Sequence, residues 1–201
     1  EAFYKPLENE EEYGSFFSKD HFNIVFAGNI GEAQSFHTII EVANLLKKLP
    51  VKFVILGDGR YKETALLIIK KLGLENVFSF LGSYPPTEMP KFFFHADALL
   101  VSLKKDKIFA LTIPAKIQSY LACGKPIIAS IDGVGAKIVE EANCGVTAAA
   151  ESVSALEMAI TNLMATDSEQ RAAMAKNART YYEKEFDREY LLQKLEQILI
   201  S

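Results

Sequence analysis

FNIVFAGNIGEAQSFHTIIEVANLLKKLPVKFVILGDG, residues 22–59, contains one full strand–helix–strand cycle. Both of its ends are short apolar runs, rich in β-branched and aromatic residues, that stop at a glycine turn. Between them Phe36, Ile39, Ile40, Ala43 and Leu46 recur at intervals of three and four, which lines one face of a helix. Strand, helix and strand in that order make a βαβ unit with a parallel sheet.

The alternation continues along the chain. A helix is expected from about Tyr61 to Leu72, then a third strand in NVFSFLG (76–82) and a short helix, entered through prolines, in PPTEMPKFFFHA (85–96). DALLVSL (97–103) reads as the fourth strand, PAKIQSYLACG (114–124) as a helix ended by Gly124, KPIIASI (125–131) as the fifth strand and GVTAAA (145–150) as the sixth. Beyond Ser152 only helical spacing remains, marked by Leu156, Ala159, Ile160 and Leu163, then Met174, Ala178 and Tyr181, then Leu191, Leu192, Leu195, Ile198 and Leu199. Asp167 or Ser168 and Asp187 suit the N-caps of the last two helices. The expectation is an α/β, Rossmann-like, doubly wound parallel sheet of about six strands with a C-terminal helical tail. Residues 1–20, acidic and aromatic without a period, read as a linker and approach segment, and residues 21–201 as the domain.

Composition agrees with one folded domain. Of the 201 residues 49% are hydrophobic and 24% charged, ordinary values for a globular body, and a chain of this length buries roughly 70% of its unfolded surface. The net charge of −4 gives no electrostatic case for nucleic acid. Cys123 and Cys144 lack the spacing of a metal site and read as buried, reduced thiols; no metal is expected. No run approaches the ~18–20 apolar residues of a transmembrane segment, and no charged-then-apolar segment opens the chain. The expected compartment is the cytoplasm.

Ligands of open parallel sheets bind outside the carboxyl ends of the strands. Those exits here are Gly28–Ser35, Gly57–Arg60, Gly82–Pro86, Ser102–Lys107 and Ser130–Ala136, and four of the five contain glycine. Glycine lets backbone N–H groups approach an anion, and a helix that starts just after such a loop adds partial positive charge, so phosphate is the natural guest. Each terminus contributes only ~0.3–1 kcal/mol, and a diphosphate therefore needs several elements together. Gly28, Gly31 and Gly57 supply loops, and Lys104, Lys105 and Lys107 supply cations. In ALTIPAKIQSYLACGKPIIAS (110–130), Pro114 suits the first helical position with Thr112 as a cap, which presents the N–H groups of Ile113, Ala115 and Lys116 to the crevice.

At these residues the sequence resembles the group 1 retaining glycosyltransferases, which share the two-Rossmann-domain GT-B architecture. AGNIGEAQSFHTIIEVANLL, VKFVILGDGR, VFSFLGSYPPTEMPKFFFHADALLVSL and IPAKIQSYLACGKPIIAS follow the order of that family's C-terminal domain, and the last is similar to transferases that build capsule, O-antigen or other exopolysaccharide, including N-acetylamino-sugar transferases. EAFYKP at the start is similar to the end of the interdomain linker. The resemblance implies the donor-binding half of an enzyme that transfers a hexose or N-acetylamino sugar from a UDP-sugar to a glycan or lipid-linked saccharide in cell-surface polysaccharide synthesis. It implies no cofactor beyond the donor, an N-terminal domain absent from this chain, and inactivity of this chain alone. Any peripheral attachment to the inner face of the membrane would pass through that other domain.

Residue by residue, Asn29 and Gln34 stand where the family presents an Arg and a Lys to the diphosphate, and Lys104 or Lys116 would compensate. Gly82, Ser83 and Tyr84 resemble the turn that reads the base, with Tyr84 either stacked on it or packed in the protein. Leu111 and Ser119 occupy the positions of two glutamates that bind the sugar and the ribose; Asp106 is a candidate substitute. No catalytic base is identified, His21, His37 and His95 reading as surface or packing residues. The alternative is a non-catalytic nucleotide-binding or interaction module that keeps the fold with a degenerate site.

Overall fold

A computed structural model describes residues 3–200, without the side chain at 194; residues 1 and 2 of the approach segment and residue 201 of the tail lie outside it. The elements in chain order are β1 (Phe22–Ala27), α1 (Phe36–Leu46), β2 (Val51–Leu56), α2 (Lys62–Leu72), β3 (Phe78–Gly82), α3 (Met89–Phe94), β4 (Ala98–Ser102), α4 (Lys107–Ala110), α5 (Ala115–Ala122), β5 (Ile127–Ser130), α6 (Val134–Glu141), β6 (Gly145–Ala148), α7 (Val153–Ala165), α8 (Ser168–Glu185) and α9 (Arg188–Ile200). All six strands run parallel in the order β3-β2-β1-β4-β5-β6. The chain therefore winds outward in one direction from β1 and in the other from β4, the doubly wound arrangement that the βαβ pattern implies.

Alternation along the strands sorts the core into two layers. Ile24 and Phe26 of β1, Phe53 and Ile55 of β2 and Leu100 of β4 face α1, α2 and α7. Val25, Val54, Leu99 and Val101 face the opposite layer of α3, α5, α6 and α8. Burial on both faces is why the strands read as near-continuous apolar runs.

Residues 3–20 lie against the second layer. Tyr13 stacks on Phe92 of α3 at 4.0 Å and donates a hydrogen bond to Glu88 at 3.0 Å, while Lys91 bridges Glu12 and Glu88 at 2.7 and 2.9 Å. The N-caps behave as the side chains suggest. Asp167 accepts from the Gln170 N–H at 2.7 Å while the Gln170 side chain accepts from the Asp167 N–H, a reciprocal capping box; Asp187 accepts from the Tyr190 N–H at 3.1 Å. Both cysteines are buried and free, and burial pushes each thiol up to about 12.

One expectation is corrected here. Pro114 has extended backbone (φ −61°, ψ 133°) and is itself the N-cap of α5, so the helix begins at Ala115 rather than at the proline. Thr112 does not cap it: the Leu111 and Thr112 N–H groups donate to Ile108 and Phe109, and the Thr112 hydroxyl returns to the Phe109 carbonyl at 3.1 Å, so both residues complete the end of α4.

Candidate functional site

The site starts from an opening in the sheet. β1 and β4 pair only through Ile24 with Ala98 and Val25 with Leu99, and past those pairs the strands part. Tyr120 of α5 fills the gap: its buried hydroxyl accepts from the Ala27 N–H at 3.3 Å and donates to the Leu100 carbonyl at 3.4 Å. Burial drives this phenol well above its ordinary range, so it stays neutral and serves both strands. The place where winding reverses is thereby held open at its mouth and sealed at its base.

Above Tyr120 lies a cleft of about 460 Å³, walled by the exits of β1, β2 and β3 and by the first turns of α5. The exits are laced by backbone bonds: the Gly28 N–H donates to Leu56 and the Gly57 N–H to Gly82, both at 2.7 Å. Gly57, at φ +140°, allows the close approach of β1 and β2, since a Cβ there would collide with the Gly28 carbonyl oxygen. Asp58 adds a carboxylate to the wall, tied to the Gly59 N–H at 2.7 Å and to Lys62 at 3.2 Å; the backbone bond and then the lysine hold its carboxyl below the usual range.

Gly28 matters for another reason. At φ +133°, a Cβ on it would stand 2.6 Å from Lys116 Cε and 2.8 Å from Nζ, so the glycine makes the space that the lysine tip occupies. The Lys116 ammonium lies 4.0 Å from the centre of the Phe26 ring, buried, with no hydrogen-bond partner among the described residues. Burial lowers its pKa to about 8. Beside it, the N–H groups of Ala115 and Lys116 belong to the first turn of α5, where a helix has no acceptor of its own to offer. A buried cation and open amides thus converge on one end of the cleft.

The other end is aromatic. Tyr84 lines the cleft next to Ser83, and its ring meets Phe92 at 4.6 Å and Tyr13 at 5.7 Å, both edge-on. The Tyr84 ring thus packs in the protein and lines the cleft as well, with Met89 and Phe93 forming the apolar floor nearby.

Gly28, Asn29, Gly57, Ser83, Tyr84, Ala115, Lys116 and Ser119 are thus brought together around one cleft. The rest fall elsewhere. The Asn29 amide donates to the Gln34 side chain at 3.1 Å, and the pair sits against Gly31, where a Cβ would be 2.6 Å from the Asn29 amide nitrogen. Gly31 borders a separate hollow of about 610 Å³ with Arg60 and Tyr61. Gly82 contributes its carbonyl to the lacing of the exits. Lys104 fastens the β4 exit by donating its N–H to the Ala33 carbonyl at 3.0 Å, and its side chain is exposed. Thr112 and Ile113 are exposed in the turn ahead of α5 and do not line the cleft. Asp106 caps α4 by accepting from the Ile108 N–H at 2.8 Å and does not line the cleft, and Leu111 projects outward at 79% exposure. His21 pairs with Ser18, exposed His37 lies 3.9 Å from Glu151, and His95 packs against Phe17; none lines the cleft.

Tyr120 and Tyr4 are among the cleft residues that escaped the reading of the sequence. Tyr120 follows Lys116 by one helical turn, and that spacing alone places both on one face of α5. Tyr4 comes from the approach segment, and no local signal ties it to a cleft built more than twenty residues later. Among the described residues no cluster of His, Cys, Asp and Glu is fit to hold a metal, and no helix is long and apolar enough to cross a membrane.

Comparison with known proteins gives this cleft a setting. The putative colanic acid biosynthesis glycosyl transferase WcaI of Escherichia coli K12 is 34% identical over 102 residues, which is 50% of this chain and 24% of that protein. The Anabaena protein HepE, solved with UDP and glucose, superposes over 100% of this chain and 54% of its own with a TM-score of 0.84 at 20% identity. The C-terminal domain of LpcC, a group 1 glycosyl transferase family protein of Francisella tularensis, matches over 93% of this chain and 97% of that domain with a TM-score of 0.75 at 21% identity. This chain thus spans about half of HepE, and its match to WcaI about a quarter of that protein, but nearly all of the isolated LpcC domain. The model described as Glycosyl transferases group 1 matches residues 8–181, and the chain belongs to that family, with the fold of its C-terminal domain.

Proposed function

We propose that the cleft binds the nucleoside diphosphate of a sugar donor, most simply UDP, and that the chain is the donor-binding half of a transferase that moves a hexose or N-acetylamino sugar during cell-surface polysaccharide synthesis. The observation that carries this reading is the Lys116 ammonium, buried at the cleft end of α5 without a hydrogen-bond partner and flanked by the first-turn amides. A buried cation with nothing to neutralise it is costly, and an anion delivered by a ligand removes that cost. A diphosphate offers two negative groups to the lysine and the amides at once.

The same groups suit the chemistry. Sugar transfer from a nucleotide donor releases the diphosphate, on which negative charge grows as the glycosidic bond breaks, and preorganised donors aimed at that charge lower the barrier. Lys116 and the α5 amides provide such donors, and Gly28 keeps the approach free of a Cβ. HepE has been solved with UDP and with UDP-glucose, and WcaI carries a colanic acid biosynthesis name; both agree with this reading. The acceptor site and the remaining catalytic groups would come from the part of the protein not represented in this chain.

Titration calorimetry of the chain with UDP, UDP-N-acetylamino sugars and GDP-sugars tests it. The expected result is heat with the uridine compounds and at least a tenfold loss of UDP affinity in Lys116→Gln, a size appropriate to a charge-assisted contact in a desolvated site. Absence of heat with every nucleotide would overturn the proposal and leave a module that keeps the family fold for another purpose.

A further inference from the structure

We propose that Glu151, at the exit of the edge strand β6, is a positioning residue for the donor cleft, bracing the exits of β1 and β4 across the split between them. This rests on the reading of the cleft as a nucleotide site and adds a residue that acts on it from outside.

Past Val25 and Leu99 no ladder pair joins β1 to β4, so other groups must hold the two exits together. Glu151 does so with both carboxylate oxygens. Oε2 accepts from the Lys105 N–H at 2.9 Å in the exit of β4, and Oε1 accepts from the Ser35 hydroxyl at 3.5 Å at the start of α1. Ser35 commits its hydrogen there, so the Thr38 hydroxyl, 2.9 Å away, donates to Ser35 in turn. Ser35 and Thr38 are buried, and their hydroxyls therefore depend on partners inside the protein. His37 adds its Nε2 at 3.9 Å from the same carboxylate. A backbone bond from the Lys104 N–H to the Ala33 carbonyl, at 3.0 Å, runs beside this brace.

The backbone bears the mark of the contact. Among the described residues three other than glycine have positive φ: Ser35, Asn143 and Glu151. Asparagine visits that region readily, whereas serine and glutamate do so at a cost. Those two, at +48° and +58°, are the pair whose side chains meet. Such conformations persist only where the surroundings over-determine them, and they gather at functional sites. Here the Ala150 N–H is tied to Asp132 at 3.0 Å on one side of Glu151, and Ser152 caps α7 on the other, so the turn delivers the carboxylate toward α1.

The brace reaches the cleft through the exit loop of β1. Glu151 and Lys104 hold the far end of that loop, Ala33 to Ser35, while its near end, Gly28 and Asn29, lines the cleft. The bond between the Asn29 amide and the Gln34 side chain, at 3.1 Å, joins the two ends. Releasing the far end lets Gly28 shift, and Gly28 makes the space for the tip of Lys116. Glu151 does not line the cleft, so it acts through the loop and not by touching the ligand.

Calorimetry with UDP on the wild type, Glu151→Gly and Glu151→Gln, together with melting temperatures, tests the inference. Glu151→Gly should weaken UDP about three- to tenfold, the size of one or two hydrogen bonds. Its melting temperature should stay within about 2 °C of the wild type, because glycine takes the left-handed backbone freely and that gain offsets the lost bonds. Glu151→Gln should bind UDP within about twofold of the wild type, since its amide carbonyl still accepts from the Lys105 N–H. Amide hydrogen exchange in residues 28–35 and 103–106 should quicken in unliganded Glu151→Gly. Unchanged UDP affinity in Glu151→Gly, equal weakening in both variants, or a loss of affinity that comes with a fall of more than about 5 °C in melting temperature would overturn this inference while leaving the nucleotide site in place. Failure of the wild type to bind UDP would overturn it together with the reading it rests on.

Discussion

At the scale of single residues, Lys116 links stability and function in opposite directions. Its pKa falls from 10.5 in the unfolded chain to about 8 in the fold, because burial penalises the charged form. Between those values the unfolded chain binds more protons, so the stability of the protein rises with pH through that window and is lowest below pH 8, where the folded state holds a buried charge. Lys116→Met removes the charge and keeps most of the packing, and it should stabilise the unliganded chain by about 1–3 kcal/mol at pH 7. Urea unfolding at pH 7 and at pH 10 checks this, the gain being expected to shrink at the higher pH. A variant that is more stable yet binds nucleotide worse would mark the lysine as kept for a ligand. The loops around Lys116 were legible in the sequence, because glycine at a strand exit has a local meaning. The burial of the lysine tip was not, since it depends on Phe26 and Gly28, ninety and eighty-eight positions earlier in the chain.

At the scale of elements, strands and long helices were readable because each carries its own period. The four-residue α4 is too short to show one, and α6 opens on DGVG with a glycine N-cap at φ +78°, a beginning that resembles a turn. The start of α5 was misplaced by one residue for a related reason, since a proline fits equally well at the cap and just after it, and only the backbone angles separate the two. The caps of the tail were the clearest local signals. α8 packs on α5, and Arg179 of α8 donates to the Ala122 carbonyl at the end of α5 at 2.7 Å, so the stability of α8 bears on the helix that builds the cleft. Asp167→Ala removes the carboxylate half of the capping box, leaving the backbone N–H that donates to Gln170, and should cost about 1 kcal/mol, which for a domain of this size lowers the melting temperature by roughly 2–4 °C in scanning calorimetry. Nucleotide affinity should be unchanged, because the first turn of α8 lies outside the cleft.

At the scale of the whole molecule, the sheet order puts the split between β1 and β4 at its centre, and the groups assigned to the diphosphate converge on the exit of β1 or on α5. The two layers of helices complete the core without the end of the chain. Every described side chain of α9 is exposed, including Leu191 at 43%, Leu195 at 52% and Leu199 at 76%, although the spacing of those leucines reads in the sequence as a face made for burial. Apolar area left in water contributes little to folding, since stabilisation scales at roughly 25 cal/mol per Å² removed from solvent. Deleting residues 188–201 should therefore lower the melting temperature by less than about 3 °C, far less than the loss of a helix from either layer, and should leave UDP affinity unaltered. Scanning calorimetry and titration of the shortened chain measure both quantities. A large fall in melting temperature would mean that α9 is held against the body of the domain by more than its contacts with α8, and a loss of UDP affinity would mean that the tail reaches the cleft.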